Sequence, residues 1–297
     1  MMMLRSWGAL LRREYLEHRV AFLYFPLGVM GILLLAALSG LGINRVKVVV
    51  GMTLPAGLKL FELGYIALVG LWFSYLALAL FFYFGDAFSA DRRNNAMLFW
   101  KSMPVSDLRI LAGKFLAGIV LFPVIIALVA AITGVMHYAL VSAATMLMPG
   151  LIVPVFPLEA LASFAQITLL MLVHLGLGLL WYAPFFAWVA GLSAVFGRWS
   201  LPLAFAIPGL IAVVENVALF GTGPRGGYVW SYISQRFQFG LTDVDYTRMF
   251  TAGSPFEAGP YILSLWHAFD GVSVVTGLLF AAAIIWLASE YRRRRLA

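Results

Sequence analysis

The charged residues of this chain crowd into one stretch. Between Gly85 and Lys114 the sequence runs GDAFSADRRNNAMLFWKSMPVSDLRILAGK. Asp86, Asp91, Arg92, Arg93, Lys101, Asp107, Arg109 and Lys114 surround a compact apolar group, Met97, Leu98, Phe99, Trp100, Met103 and Pro104. Aromatic anchors inside a basic rim have the composition of a protein interface, where a few large side chains carry most of the binding energy. The chemistry this segment suggests is recognition of a soluble partner. Burial of its aromatics among lipid headgroups is the plainer alternative.

Reactive sets are missing elsewhere. No GxxxxGK[ST] phosphate loop exists: Gly113 and Lys114 are followed by Phe115, and the upstream glycine position holds Leu108. ATP binding in the usual way is therefore not expected on this chain. His18, His137, His174 and His267 are too scattered for a metal set, and Cys is absent. There is no GxSxG elbow. Gly221, Gly223 and Gly226 fit GxGxxG, but after an apolar run rather than a strand and with Pro224 inside, which reads as a turn.

Polar groups inside apolar runs are the next candidates. Glu215 and Asn216 fall toward the end of one run and His174 within another. A carboxylate in hydrocarbon is costly and defaults to a functional hypothesis, so the three mark a candidate substrate path. The bland readings are a protonated Glu215 hydrogen-bonded to a neighbouring helix and a His174 that only packs. Glu62, Asp86 and Asp270 lie at run ends, where water is expected to reach them.

The elements that must position these residues follow from composition. Of 297 residues, 63% are hydrophobic and 11% charged, and the mean hydropathy is +0.96. A soluble domain of this size cannot hide so much apolar surface, which makes the chain an all-α polytopic membrane protein. A span needs about twenty apolar residues to cross ~30 Å of hydrocarbon. Six stretches qualify: 20–41, 63–84, 115–136, 161–189, 201–220 and 271–288. The third is expected to open or kink near Pro123, with Lys114 snorkelling to the surface. Residues 4–19 form a basic amphipathic helix in the interface, with Leu4, Trp7, Leu11 and Tyr15 on its apolar face. Met146 to Phe156, broken by prolines, reads as a shallow re-entrant or interfacial segment on the outer side. The segment 221–267 reads as a wet, aromatic-rich cap of short helices.

Basic residues sort by side. Arg5, Arg12, Arg13, Arg19, Arg92, Arg93, Lys101, Arg109, Lys114, Arg198 and Arg292 to Arg295 share one side of this topology. Only Arg45, Lys47, Lys59, Arg225, Arg236 and Arg248 fall on the other. The basic side is the cytoplasmic one, so both termini are expected inside. The formal charge of +7 thus points to topology and membrane lipids, with no nucleic-acid partner implied.

A basic N-terminal helix, six spans and a long cytoplasmic loop after the second resemble the ABC-2 type permeases. So does the string Asp91-Arg92-Arg93-Asn94-Asn95, Leu98-Phe99-Trp100-Lys101-Ser102-Met103-Pro104-Val105-Ser106-Asp107 and Gly113-Lys114. The resemblance implies one permease domain over 1–297, of the type V exporter-like fold, in the cell membrane (the bacterial inner membrane). It implies a coupling helix within 85–114 that docks a separate ATPase through Asp91, Arg92, Arg93, Phe99, Trp100, Lys101, Met103, Pro104 and Asp107. It further implies a non-catalytic chain, a second permease copy, and ATP with Mg on the partner. Secondary transport without an ATPase is the alternative, which would call for an internal repeat and paired midplane charges. A membrane-embedded enzyme would need clustered His, Asp or Ser at membrane depth.

Overall fold

The computed structural model describes residues 2–42, 57–93, 105–147, 154–220, 222–238 and 255–295. Its long elements are α1 (Met2–Arg19), α2 (Phe25–Gly42), α3 (Gly57–Ala87), the single turn α4 (Ala90–Arg93), α5 (Asp107–Leu116) and α6 (Phe122–Leu147). They continue with α7 (Pro157–Phe196), α8 (Ser200–Ala218), α9 (Gly227–Phe237), α10 (Gly259–Ala268) and α11 (Gly271–Arg295). No strand occurs among the described residues.

Five stretches are long and apolar enough to cross a membrane: Trp7–Gly40, Gly57–Ala87, Asp107–Leu147, Pro157–Ala218 and Gly271–Arg294. The fourth is folded back on itself. Trp188 Nε1 donates to the Ala204 carbonyl at 3.3 Å, although a straight helix would hold residues sixteen apart about 24 Å from each other. The reversal is one 3-10 turn, Gly197–Trp199, entered through Gly197 at φ 55°. Only glycine adopts that conformation without a steric penalty.

These helices are apolar on all sides, so burial is decided by packing rather than by an amphipathic stripe. On α3 the inward row is Phe61, Tyr65, Trp72, Leu76, Leu80 and Phe84, while Leu71, Leu78 and Phe82 face outward. The inward rings meet glycines of the neighbouring chain segment. A Cβ on Gly118 would lie 2.2 Å from Phe84, and one on Gly134 would lie 2.4 Å from Tyr65. Polar side chains bind the same helices together, with Trp72 Nε1 donating to Thr133 Oγ1 at 3.2 Å and Tyr65 Oη 2.9 Å from Thr168 Oγ1. Small residues and buried hydroxyls are what hold helices together where no hydrophobic force separates helix from lipid.

Two π-helical turns have one cause. Val20–Tyr24 precedes Phe25-Pro26, and Ala117–Leu121 precedes Phe122-Pro123. A proline removes the donor to the carbonyl four residues back and collides with it, and a widened turn relieves that collision. The opening expected near Pro123 is present, with a counterpart before Pro26. Phe22 and Phe122, one from each site, stack at 3.9 Å and 5°.

Several sequence expectations need correction. Of the stripe expected on α1, Trp7 and Leu11 pack inward, but the buried residues are Leu10 and Glu14, because Glu14 finds partners on α3 and α5. Lys114 does not snorkel; it is buried against Glu14. Glu62 and Arg236, placed near water by the sequence, are each 1% exposed. α6 runs through Met146 to Leu147, residues 154–156 have no regular secondary structure, and the middle of the proposed re-entrant segment lies outside the described residues. In the 221–267 segment, α9 and α10 are short helices.

Candidate functional site

The base of the charged stretch lies where four helices end. α3 closes at Ala87, and the chain is pinned there by two serines of the α7–α8 turn region. Ser200 Oγ donates to the Gly85 carbonyl at 2.5 Å, and the Phe88 amide donates to Ser193 Oγ at 3.2 Å. Ser89 donates back to Asp86 at 3.0 Å. These bonds hold the turn so that α4 begins at Ala90 and Asp91 points inward.

Asp91 is the hub of a buried ion network. One carboxylate oxygen lies 3.3 Å from Arg13 Nη2 and 3.5 Å from Lys114 Nζ, and the other lies 3.2 Å from Arg292 Nη2. Lys114 also pairs with Glu14 at 2.9 Å. Tyr83 Oη is 3.0 Å from the other Glu14 oxygen and 2.9 Å from the Lys114 carbonyl. Asp107, at the start of α5, lies 3.3 Å from Arg292 Nε. Asp91, Glu14 and Lys114 are almost wholly buried. Each charge is costly to remove from water and is retained only because opposite charges meet it within hydrogen-bonding range.

Local structure explains the delivery of each group. Ser106 Oγ accepts from the Arg109 amide, capping α5 and placing Asp107 in its first turn, where a carboxylate suits the helix dipole. Lys114 follows two turns later, on the face shared with Ile110 and Leu111. Leu10 and Ile110 pack together, and the Arg109 guanidinium lies 5.3 Å from the Trp7 ring. α1 and α5 are thereby joined by packing as well as by ions. The result ties the N-terminal helix, the charged stretch and the C-terminal helix at one point.

Of the residues singled out for docking, Asp91 and Asp107 are brought together through Arg292. Arg92 and Arg93 complete α4, and nothing is described of their side chains. Phe99, Trp100, Lys101, Met103 and Pro104 lie outside the described residues. The substrate-path candidates are not one cluster. Glu215 Oε2 accepts from the Val229 amide at 2.9 Å and Asn216 Oδ1 from the Gly226 amide at 3.3 Å, so both serve the start of α9. Gly226 and Gly227, at φ 85° and 86°, make that approach possible. A Cβ on Gly227 would strike Glu215. His174 stacks on Phe73 at 5.8 Å, at the contact of α7 with α3.

Two further buried charges escaped the sequence reading. Glu62 accepts from Lys59 at 2.7 Å, from Ser163 Oγ at 2.5 Å and from the Phe256 amide at 2.8 Å, joining α3, α7 and the segment before α10. Arg236 donates to the carbonyls of Trp181 and Ser273, and its guanidinium sits 4.5 Å from the Trp181 ring and 5.0 Å from the Tyr232 ring. The Trp181 indole returns a bond to the Arg236 carbonyl at 2.9 Å. For Glu14 a signal did exist, since it continues the row of Trp7 and Leu10 at helical spacing. Glu14, Glu17 and His18 also bring ligand atoms within 4.8 Å of one another. Lys114 and Tyr83 engage Glu14, and Arg13 meets Glu17 at 2.8 Å, so the group is an ion-pair set rather than a metal centre.

The fold and this network define a class: an all-helical, multi-pass membrane protein whose charged groups gather at the ends of its spans. No family model, curated protein or solved structure matches the chain.

Proposed function

We propose that the chain is the membrane subunit of an ATP-driven exporter, with the ATPase on a separate chain docked on residues 85–114. On this reading it crosses the membrane six times, with Pro157–Ala218 contributing two passes, and both termini are cytoplasmic. The permease is of the ABC-2 type and works as a pair of copies. ATP and Mg are held by the partner, and this chain performs no catalysis itself.

The observation that carries the reading is the connection made by Asp91. A charged surface segment needs no buried anchor if its only task is to reverse the chain. Here the first turn after α3 is joined to Arg13 of α1, Lys114 of α5 and Arg292 of α11, and its backbone is held by Ser193 of α7. A load applied beyond Asp91 reaches four helices through packed, paired groups. Such an assembly suits a machine in which ATPase closure shifts the bundle between two arrangements. The preponderance of Lys and Arg at this end supports its cytoplasmic placement.

The test is Phe99→Ala with Trp100→Ala in the reconstituted complex. ATP hydrolysis by the partner is expected to become independent of the permease, while the variant unfolds at the same denaturant concentration as the parent. Unchanged coupling would remove the docking assignment.

A further inference from the structure

α7 and α11 run side by side in the same direction and in constant register. A Cβ on Gly277 would lie 3.2 Å from Pro184, and seven residues further along each helix a Cβ on Gly191 would lie 2.5 Å from Ile284. α7 ends five residues beyond Gly191, at Phe196, and the chain turns back through Gly197, while α11 runs on to Arg295. Around and beyond the Gly191 contact the two helices line an open groove of about 350 Å³. Its walls are Trp188, Leu192 and Val195 on one side and Ile284, Leu287 and Tyr291 on the other. Gly191 and Ala288 form the floor. The groove is apolar along its length and carries one hydroxyl, at Tyr291.

What lies at its mouth sets the occupant. On α11 the wall residues recur at helical spacing, and the next position on that row is Arg294, which is 79% exposed. On α7 the wall ends at Val195, and the chain turns through exposed Arg198 and Trp199. Arg294 shares the single carboxylate of Glu290 with Arg293, and no carboxylate pairs with Arg198 among the described residues. An apolar slot bordered by Tyr291, with Arg294 next along one wall and Arg198 and Trp199 in the turn that follows the other, matches a molecule with a long hydrocarbon chain and an anionic head. Tyrosine and tryptophan favour the headgroup level, and arginines there attract anionic lipid.

We infer that this groove is a binding site for one anionic phospholipid, with an acyl chain along Leu192 and Leu287 and the phosphate between Arg198 and Arg294. The inference rests on membrane insertion alone and stands whether or not the transporter reading does.

The full-length protein, purified in mild detergent, would be incubated with phosphatidylglycerol or phosphatidylcholine and weighed intact. The parent is expected to retain one phosphatidylglycerol in preference to phosphatidylcholine. Each of Arg198→Ala and Arg294→Ala weakens that retention about fivefold, the effect of one basic residue near an anionic surface. Val195→Trp, which fills the slot from its exposed wall, removes the bound lipid whatever its headgroup. Arg293→Ala lies on another face of α11 and leaves retention unchanged. Equal retention of the two lipids, an unaffected Arg198→Ala and Arg294→Ala double variant, or an equal loss in Arg293→Ala would overturn the site.

Discussion

Asp91→Asn keeps the shape of the network and removes its central charge. Among the described residues the carboxylate has three cations within 3.5 Å, and its side chain is 1% exposed. At an effective dielectric of about 20, one such contact has a gross attraction of roughly 5 kcal/mol, most of it offset by desolvation. The net loss depends on what the cations keep. Lys114 retains Glu14 at 2.9 Å, and Arg292 retains Asp107 at 3.3 Å. Arg13 falls back on Glu17, a carboxylate 39% exposed to solvent. Breaking a buried pair costs about 3–5 kcal/mol, and these remaining contacts place Asp91→Asn near ~3 kcal/mol. That is more than a hundredfold in the unfolding equilibrium.

The assay is reversible unfolding by SDS in mixed micelles, run on Asp91→Asn, Arg13→Gln and the double variant. The double variant is expected to be less destabilised than the sum of the single changes by about 1 kcal/mol or more, since removing both partners leaves less uncompensated charge. An Asp91→Asn protein within ~0.5 kcal/mol of the parent, or strictly additive effects, would refute the network as a structural hub.

Two other buried charges give further tests. Glu62→Gln keeps an oxygen for Ser163 and the Phe256 amide but strands Lys59, so it destabilises by about 3 kcal/mol, and adding Lys59→Met restores part of the loss. Hydrogen exchange near residue 256 would show the release, and an unchanged rate would contradict it. Arg236→Lys retains the charge but not the planar fork that spans two carbonyls and lies against Trp181. The aromatic contact alone accounts for about 2 kcal/mol in a desolvated site. Faster exchange over Gly227–Phe237 is expected, and parent-like protection there would rule out Arg236 as the clasp of α9.

The helical architecture was legible because hydrophobicity over twenty residues is a strong signal, and all six expected stretches are helical. The disturbance at Pro123 was legible for a local reason, the missing donor and the ring clash. The charged site was only half legible. Asp91 and Asp107 stood out by composition, but the partners Arg13 and Arg292 lie 78 and 201 residues away from Asp91. Lys114, Glu62 and Arg236 were assigned to water because a lone charge beside an apolar run belongs there, and Glu14 was not singled out. Each is buried instead through contacts made only after the helices pack, which no local pattern of residues records. Glu215 shows the reverse error of emphasis: a carboxylate inside an apolar run takes up the amide of Val229, beyond the turn that follows its own helix.

The most direct test of the transporter reading is purification from native membranes in mild detergent, followed by intact-mass analysis and an ATPase assay of the same sample. The account predicts a soluble ATPase in equal number with this chain, two of each, whose hydrolysis is lost from the preparation when Phe99 and Trp100 are both replaced by alanine. A chain that emerges without an ATPase, and remains without one in lipid nanodiscs supplied with ATP, would contradict it.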